Sequence, residues 1–512
     1  MGFLVFKISV GSRCEPWWVR LPSIPAFLLR RRDLKLKVAF PRVMVLLLLA
    51  LALAGCQAAP ETPRASPTST LSPATPVPTA TKTPSPTATS TPTATAVPIP
   101  AADIEDLNGL ELRLLHPWIN AAETDFLALV ETFNASNAWG IRVLPESAGS
   151  FSAVANALAG GEAGHNLFIA NGFDLALAVG ASNLINLSPY MRDAEWGLGA
   201  AYAPESVFAP LAPSFAETRE WNYLPLAYQP ALLFYNQTWA QELGFNSPPA
   251  TAAELRAQMV PAAAEKLLDK DDTNNGAGGM WISDSARAPL AWYYAFGGEC
   301  AASNGALAFN HEIFLEAIEF LKSAYEEDAS WVGLQKKPYD YFARRQALAY
   351  EGTLDDLLEQ EGYLARAGSA DEFITLPYPG PDGSGSIALE TLSLGIRAGS
   401  AAEQLGAWIF ARWLLEDSAQ ETLVRVSGYW PAAGNPRDIA PDYARQHPAW
   451  ASALREGVRL KLAPERENWA FSRVVLQDAL RRAYQLDLAY IPTVLETLDA
   501  TLLELAGSGN GE

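Results

Sequence analysis

A tract rich in proline, threonine and serine limits how much of this chain can fold. Residues 61–100 read ETPRASPTSTLSPATPVPTATKTPSPTATSTPTATAVPIP, and about two-thirds of them are Pro, Thr or Ser. A segment with so few large apolar side chains cannot bury a core and is typical of an extended linker. The folded part is therefore confined to the roughly 400 residues that follow, which is more than one hydrophobic core usually organises, and we expect two lobes.

A short apolar run precedes this tract. Residues 43–55, VMVLLLLALALAG, follow a basic segment that includes Arg30, Arg31 and Lys37. The run is shorter than the roughly 20 residues that span a bilayer, and it has the length of a signal-peptide core behind a positive region. The alternative interpretation, a short buried helix that ends at a cysteine, leaves the small residues before Cys56 and the linker after it unexplained.

Residues 53–56, LAGC, resemble the bacterial lipobox. In lipoproteins of that kind the cysteine is lipidated and becomes the first mature residue. The resemblance implies a signal peptide over residues 1–55, a lipid anchor at Cys56 and a linker over 56–104. We therefore expect a protein anchored at the extracytoplasmic face of the bacterial cell membrane. Residues 1 to about 30 fit no signal-peptide pattern, which a misassigned start codon would explain.

The charge of the chain argues against some classes of partner. The 512 residues carry a formal charge of −20, and removal of residues 1–55, with nine basic and two acidic side chains, makes it −27. A chain this acidic is not suited to nucleic acid or to an anionic membrane surface. Beyond Cys56, Cys300 is the one remaining cysteine, so we expect no intrachain disulfide and interpret Cys300 as a small buried residue.

Strands and helices alternate in the first part of the folded region, which predicts an α/β fold with a mostly parallel sheet. Ligands bind beyond the carboxyl ends of the strands in such sheets, and this places Trp118, Asn171 and Phe173 at a common edge. The segments typical of strands are residues 110–116, 141–147 and 166–171, and the segments typical of helices are residues 121–136, with Phe126, Leu129, Val130 and Phe133 at helical spacing, and 151–159.

The stretch WNYLPLAYQPALLFYNQTWAQELGF is dense in aromatic and apolar residues. Because proline is poorly tolerated inside a central strand, Pro225 and Pro230 predict two short strands joined at residues 228–230. A helix capped by Gly244 should follow, and another should begin behind Thr251. A strand that breaks midway and continues elsewhere suits a chain that passes from one lobe to a second.

Several segments recur in the order of a known protein family. They are WNYLP (221–225), FYNQTW (234–239), GF (244–245), PPATAAEL (248–255), FARRQALAYEGTL (342–354), ITLPYPG (374–380), SGYWPA (427–432) and the helical residues 477–505. The set resembles family 1 extracellular solute-binding proteins, the maltose-binding-protein-like subunits of ABC importers. The chain departs from the family pattern at Gln237, where lysine is usual, and at Arg344-Arg345, where Gly-Lys is usual. These departures affect the ligand assignment more than the fold.

The resemblance implies an α/β, two-lobe, periplasmic-binding-protein-like (type II) fold with a ligand cleft between the lobes. The chain would cross between lobes near residues 228–230, 350–353 and 415–418. The implied boundaries are 105–228 and 351–415 for the first lobe and 230–350 and 416–512 for the second lobe.

Aromatic and polar residues near the crossings and strand ends are the candidate ligand-binding residues. Aromatic residues make up 10% of the chain, and a sugar offers C–H faces to rings and hydroxyls to polar groups. The resemblance places contacts at the first crossing and on the SGYWPA loop. The alternative for each candidate is packing in a core or a hinge. The candidates are Trp118, Asn171, Tyr228, Gln229, Trp292, Tyr293, Glu351, Glu390, Tyr429, Trp430 and Trp469.

These observations together indicate a lipoprotein that captures a carbohydrate by lobe closure and delivers it to an ABC transporter permease. The expected partners are the sugar, the permease subunits and the membrane through Cys56. We expect a monomer that uses no cofactor, no metal and no nucleic acid. The sequence does not match the common enzyme motifs. The segment HEIFL (311–315) lacks the second histidine of a zinc protease, and no nucleophile elbow or phosphate loop occurs.

Two other functions stay open. A secreted carbohydrate-active hydrolase would need two carboxylates, for which Glu351 and Glu390 are the candidates. A sensor lipoprotein would share the same fold. A charged ligand is also open, although the expected cleft segments hold no arginine cluster except Arg344-Arg345. Residues 271–279, DDTNNGAGG, partly mimic a calcium loop, but Ile282 stands where the bidentate glutamate belongs, which favours a plain polar turn.

Overall fold

The computed structural model describes residues 99–161, 164–179, 183–198, 221–283, 285–303, 306–332, 337–465 and 468–508. The predicted lipidation site Cys56, the predicted signal peptide and residues 56–98 of the predicted linker lie outside these ranges.

Strands and helices alternate along the described residues. The strands are β1 Glu111–His116, β2 Arg142–Ser147, β3 Leu167–Asn171, β4 Leu224–Asn236, β5 Met280–Trp281, β6 Ala301–Ser303, β7 Ala306–Ala308, β8 Ser330–Trp331, β9 Ala349–Thr353, β10 Phe373–Leu376, β11 Ser386–Ile396, β12 Trp430–Pro431 and β13 Arg459–Leu462. The helices are α1 Asn120–Ser136, α2 Phe151–Ala159, α3 Gly172–Ala178, α4 Ser188–Met191, α5 Gln237–Glu242, α6 Ala252–Leu268, α7 Ala288–Ala295, α8 His311–Glu326, α9 Tyr339–Ala343, α10 Leu357–Ala367, α11 Ala401–Trp413, α12 Asp417–Ser427, α13 Pro436–Ile439, α14 Pro441–Gln446, α15 Trp469–Gln485 and α16 Ile491–Ser508, with 3₁₀ turns at Ile104–Leu107, Leu354–Asp356 and Leu488–Tyr490.

One large mixed sheet organises the described strands. Its order is β2-β1-β3-β11-β4-β9-β5-β8, with β10 and β12 paired to β4 and β13 paired to β11. Strands β1, β2 and β3 are parallel, as the alternation of strands and helices predicts, whereas β11 runs antiparallel to β3 and β4 and parallel to β13. The prediction of an α/β fold is confirmed.

Strand β4 is a single strand of 13 residues, and the prediction of two short strands is wrong. Its first half pairs with β11 as far as Gln229, and its second half pairs with β9 from Ala231 onward. Pro230 therefore falls between the two partners, and Pro225 lies opposite Ser393, where the register of the β11 ladder shifts. Both prolines, which have no N–H to donate, occupy positions where the ladder is already interrupted.

Strand β4 contributes to two large hydrophobic cores. Leu232 and Phe234 belong to the first core, whereas Leu233 and Tyr235 belong to the second, because successive side chains of a strand point to opposite faces. The other members of the first core include Leu112, Phe126, Leu224, Trp408 and Phe410, and those of the second include Trp239, Trp292, Phe314, Leu476 and Leu495.

The last third of the chain contributes to both cores. Helix α12 packs against α1 beside the first core, whereas α15 and α16 pack against each other in the second core. The stretch 416–512, predicted as part of the second lobe, is thus divided between the two cores. The lobe boundaries stay a prediction.

The helices predicted from local sequence patterns are confirmed. The four residues that define the apolar face of α1 are each at most 5% exposed. Helix α6 begins at a capping box in which the Thr251 side chain accepts from the Glu254 N–H and the Glu254 side chain accepts from the backbone of Thr251. Gly244 follows α5 with φ +96°, a conformation that side chains other than glycine rarely adopt.

Burial of His116 makes the stability of the fold depend on pH. Its ring is fully buried between Trp118 and Phe126, both ring nitrogens lack a hydrogen-bond partner among the described residues, and burial lowers its pKa to about 4. The unfolded chain binds a proton near pH 6.5, so stability is lost as the pH falls from 6.5 toward 4, by up to about 3 kcal/mol.

We expect His116→Phe to flatten this part of the pH–stability curve, because phenylalanine keeps a packed ring and cannot titrate. Urea unfolding of the wild type and the variant at pH 4.5, 5.5 and 7 measures the difference. An acid slope that is the same in both proteins would assign the loss to other groups.

Candidate functional site

A cavity of about 430 Å³ lies where β5, β9 and α15 meet. Its volume falls within the range of small-molecule binding pockets, about 300–1,000 Å³. Most of its lining carries polar or charged groups. The lining residues are Trp281, Ser283, Ser285, Ala286, Arg287, Lys337, Pro338, Glu351, Gly352, Thr353, Asp355, Asp356, Arg473, Val474 and Gln477.

Arg287 lies at the centre of a hydrogen-bonded group beside this cavity. Its Nε donates to Glu390 on β11, and its Nη2 donates to the Oε1 atom of Gln229 on β4. Arg473 on α15 donates to the same carboxylate, with Nη1 3.2 Å from Oε1 of Glu390. Glu390 is 4% exposed, so one buried carboxylate is held by two guanidinium groups.

Gln229 links this arginine pair to the turn that follows β9. Its Nε2 donates to Asp355 and, at 2.8 Å, to the hydroxyl oxygen of Tyr429. The Tyr429 hydroxyl in turn donates to Oδ1 of Asp355 at 2.7 Å. We call these residues, Gln229, Arg287, Asp355, Glu390, Tyr429 and Arg473, the Arg287 network. The network joins residues from β4, β11 and α15 and from the segments before α7, after β9 and before β12.

The electrostatics of the Arg287 network follow from burial and pairing. Burial by itself raises the pKa of Glu390, but the positive charges of Arg287 and Arg473 outweigh it and hold that pKa below its usual value. Burial raises the pKa of Asp355, although the hydrogen bond from Tyr429 and the charge of Arg287 oppose the shift. Two guanidinium groups thus face two carboxylates, and the network requires no further ion to balance its charge.

Glu351 on β9 lines the cavity from another side. Its Oε1 accepts from the indole N–H of Trp292 at 2.6 Å, and its Oε2 accepts from the backbone N–H of Ser283 at 2.9 Å. Among the described residues, no positive side chain is hydrogen-bonded to it. Burial raises its pKa to about 7, against the opposing effect of the two hydrogen bonds.

The structure brings several of the predicted site residues together. Gln229, Glu390 and Tyr429 meet in the Arg287 network, and Glu351 meets Trp292. Asn171 ends β3 and donates to Asp174 at 2.8 Å. The guanidinium of Arg473 lies 4.4 Å from the ring centre of Phe173, so the end of β3 lies beside the network. Burial raises the pKa of Asp174, and the hydrogen bond from Asn171 and the charge of Arg473 oppose this shift.

The predicted aromatic residues lie mainly in the packing around the site. Tyr228 and Trp430 pair in register between β4 and β12, so Trp430 belongs to a short strand rather than to a loop. Trp118 packs on Phe126, with ring centres 4.5 Å apart. Tyr293 accepts from the N–H of Asn310, and Trp469 is fully buried in the second core. None of these residues lines the cavity, and their role in binding stays a prediction.

Sequence reasoning missed several residues of the site, above all Arg287 and Arg473. Arg473 is a basic residue between Phe471 and Val474, and this isolated charge is the sequence feature that could have identified it as a site residue. Arg287 follows a polar segment and precedes an apolar helix, where nothing in the local pattern marks it. Trp281 is the aromatic residue that does line the cavity, and its indole nitrogen lacks a partner among the described residues.

The structure also shows the contacts of two further features noted in the sequence, the arginine pair and Cys300. The Arg344-Arg345 pair does not line the cavity, because Arg345 bonds Glu242 and Asp371, and Arg344 bonds Asp340. Cys300 is half-buried rather than fully buried, and its sulfur accepts from the Tyr294 hydroxyl at 3.4 Å.

The turn 271–279, which partly mimics a calcium loop, is closed by hydrogen bonds among its own polar groups. Oδ1 of Asp271 accepts from both the N–H and the hydroxyl of Thr273. Within the described ranges, no group of three or more His, Cys, Asp and Glu side chains could hold a metal ion.

The cavity lies where β5 and β9 of the mixed sheet meet α15, and the fold is that of the two-lobe α/β binding proteins described below. The chain belongs to the family of bacterial extracellular solute-binding proteins, which matches residues 128–447. Curated protein sequences offer no match to the chain. None of the helices in the described ranges has the length and apolar character required to cross a membrane.

Solved structures of binding proteins share this fold. The cyclic alpha-maltosyl-1,6-maltose binding protein of Arthrobacter globiformis is 19% identical, with a TM-score of 0.62 over 78% of this chain and 98% of that one. The sugar-binding protein MalE of Xanthomonas citri is 17% identical, with a TM-score of 0.63 over the same shares. UgpB of Mycobacterium tuberculosis, solved in complex with glycerophosphocholine, is 16% identical, with a TM-score of 0.58 over 78% of this chain and 98% of that one.

Loss of Arg287 should destabilise the fold far more than loss of an exposed arginine. Arg287→Met removes a hydrogen-bonded partner from buried Glu390, and breaking a buried pair costs about 3–5 kcal/mol. Arg344→Met is the matched control, because Arg344 pairs with Asp340 on the surface, and we expect a change within about 0.5 kcal/mol. Guanidinium unfolding measures both, and equal effects would contradict the structural role of the network.

Glu351 should make the unliganded protein less stable as the pH rises. Its folded pKa of about 7 lies above the usual value of 4.5, so the unfolded chain releases the proton first. Stability is therefore lost between pH 4.5 and 7, by up to about 3 kcal/mol. Glu351→Gln should remove this loss, whereas Glu312→Gln, at an exposed position on α8, should leave it unchanged. Unfolding free energies at pH 5 and pH 8 compare the three proteins.

Proposed function

We propose that this protein is an extracytoplasmic lipoprotein that binds a carbohydrate in the cavity beside the Arg287 network and delivers it to an ABC permease. The observation that carries the proposal is the lining of the cavity, in which polar side chains and one indole surround a space of about 430 Å³. The proposal is supported by the sugar ligands or sugar-binding function of the Arthrobacter and Xanthomonas proteins that share the fold.

The lining suits a neutral ligand with many hydroxyl groups. Ser283, Ser285 and Gln477 offer groups that both donate and accept, and Trp281 offers a ring. Micromolar affinity corresponds to about −8 kcal/mol, and a neutral hydrogen bond contributes about 1 kcal/mol net, so several hydrogen bonds and a ring contact are required together. Because the charges of the Arg287 network are balanced internally, a ligand need not supply a charge of its own.

Binding would act by closure of the two lobes about the crossings. The crossing segments proposed from the sequence are residues 228–230, 350–353 and 415–418, and Gln229 of the first belongs to the Arg287 network. A ligand that contacts groups from both lobes favours the closed state, which a permease could then recognise. The proposed lipid anchor at Cys56 and the linker over 56–104 would hold a monomer at the membrane.

A sugar that binds in the cavity should raise the melting temperature of the full chain. At a concentration of 100 times Kd, binding adds about 2.7 kcal/mol to the free energy of unfolding. A thermal-shift screen of mono- and oligosaccharides, followed by calorimetric titration, identifies the ligand. Small-angle scattering should show a smaller radius of gyration with the ligand, and hydrogen exchange should slow at the crossing segments.

Two controls separate this proposal from its alternatives. Glycerophosphocholine, the ligand of the Mycobacterium protein, tests for a charged solute in place of a sugar. Release of product from a labelled oligosaccharide would indicate a hydrolase and contradict a purely binding role. Tight sugar binding with unchanged scattering would contradict lobe closure.

A further inference from the structure

The two long C-terminal helices enclose an open groove of about 690 Å³, larger than the cavity described above. The short connection between α15 and α16 makes them antiparallel neighbours. The groove extends along α15 from Val474 to Leu486. Twelve residues of helix at 1.5 Å each give it a length of about 18 Å.

The groove adjoins the candidate binding cavity. Val474 and Gln477, one turn apart on α15, line both spaces. Arg473, which belongs to the Arg287 network, is the neighbour of Val474 and lines the cavity. A molecule that filled the cavity and extended past Val474 would therefore enter the groove.

One wall of the groove presents a row of hydroxyl oxygens. Thr493, Thr497 and Thr501 follow one another at four-residue intervals on α16, about 6 Å apart. The hydroxyls of Thr497 and Thr501 donate to the carbonyl oxygens of Thr493 and Thr497, each at 2.8 Å. Since their hydrogens are used in this way, their lone pairs remain as acceptors for a ligand that carries hydroxyl donors.

The rest of the groove combines apolar side chains with charged groups. Val494 and Leu498 contribute apolar surface between the helices. On α15, Asp478 and Arg482 form an ion pair at 2.9 Å, and Arg481 adds a second guanidinium group to this wall. Tyr490 leaves 61% of its surface exposed at the far end, where a ring face is open to a ligand.

We propose that the groove is an extension of the binding site that holds further units of a linear, neutral oligosaccharide whose first units occupy the cavity. This inference rests on the proposed carbohydrate function. Regularly spaced acceptors and apolar surface match a chain of sugar rings, which repeats hydroxyl donors and C–H faces along its length. The shared lining residues Val474 and Gln477 place the groove within reach of a ligand that extends out of the cavity.

The test compares ligands of increasing length on the full chain. The probes are α-1,4-linked glucose oligomers from maltose to maltoheptaose and β-1,4-linked oligomers from cellobiose to cellohexaose, titrated by calorimetry. In the series that binds, we expect the longest member to bind about tenfold more tightly than the disaccharide. Thr497→Arg should abolish this gain and leave the disaccharide affinity unchanged, which also shows that the variant is folded.

Matched variants make the result specific to the groove. Thr497→Ser keeps the hydroxyl and should keep the gain. Thr132→Arg is the control, because Thr132 is also exposed, lies within a long helix and donates to the carbonyl four residues earlier, but belongs to α1. This variant should bind every probe as the wild type does.

The outcomes distinguish the extension from the underlying proposal. Equal affinity for the disaccharide and the longest oligomer would overturn the extension and leave the proposed carbohydrate function in place. A length-dependent gain that survives Thr497→Arg would also overturn it, because the added units would then lie elsewhere. Failure of both series to bind at any length, together with no binding in the screen of mono- and oligosaccharides, would overturn the carbohydrate function and the extension together.

Discussion

The burial of the Glu390 carboxylate between two guanidinium groups is the constraint on which the site depends. A carboxylate that is 4% exposed is stable in its charged form only if it is paired, and both partners come from segments distant in sequence. Arg287 precedes α7, Arg473 lies on α15, and Glu390 lies on β11. The need to pair one charge therefore fixes the position of two helices relative to the central sheet.

This pairing also decides what the neighbouring cavity offers to a ligand. Because Arg287 is engaged by Glu390 and Gln229, its charge is largely neutralised within the protein. Lys337 and Asp356, which also line the cavity, pair with each other at 2.7 Å. The groups that remain around the cavity are hydroxyls, amides, an indole and a carboxyl, Glu351, whose pKa burial raises to about 7. A site of this kind is selective through hydrogen-bond geometry rather than through net charge.

The sequence predicts local structure well where one pattern decides it. The apolar spacing of α1, the helix start behind Thr251 and the helix cap at Gly244 depend on residues within a few positions, and the structure confirms them. Strand β4 could not be predicted as one strand, because the rule against internal proline assumes an unbroken ladder. The position at which β4 changes its pairing partner depends on β9 and β11, which lie more than a hundred residues further along the chain.

The candidate site also combines residues that the sequence predicts with residues that depend on distant partners. Gln229, Glu351, Glu390 and Tyr429 were proposed from strand ends and from the family resemblance, and the structure places them in or beside the cavity and the network. Arg287 and Arg473 were missed because a single arginine at a helix carries no local signal of its partner. The groups that bring them together are 103 and 83 residues away in the chain.

The alternation of core membership along β4 has a consequence for how the gene can change. Residues 231 to 235 enter the two cores in turn, so a single inserted or deleted codon would send every following side chain of the strand to the wrong side. Both hydrophobic interiors would then be disrupted by one event. Length variation among descendants of this gene should accordingly accumulate in its connecting segments and spare these thirteen codons, while substitutions within them remain permissible wherever shape and polarity are kept.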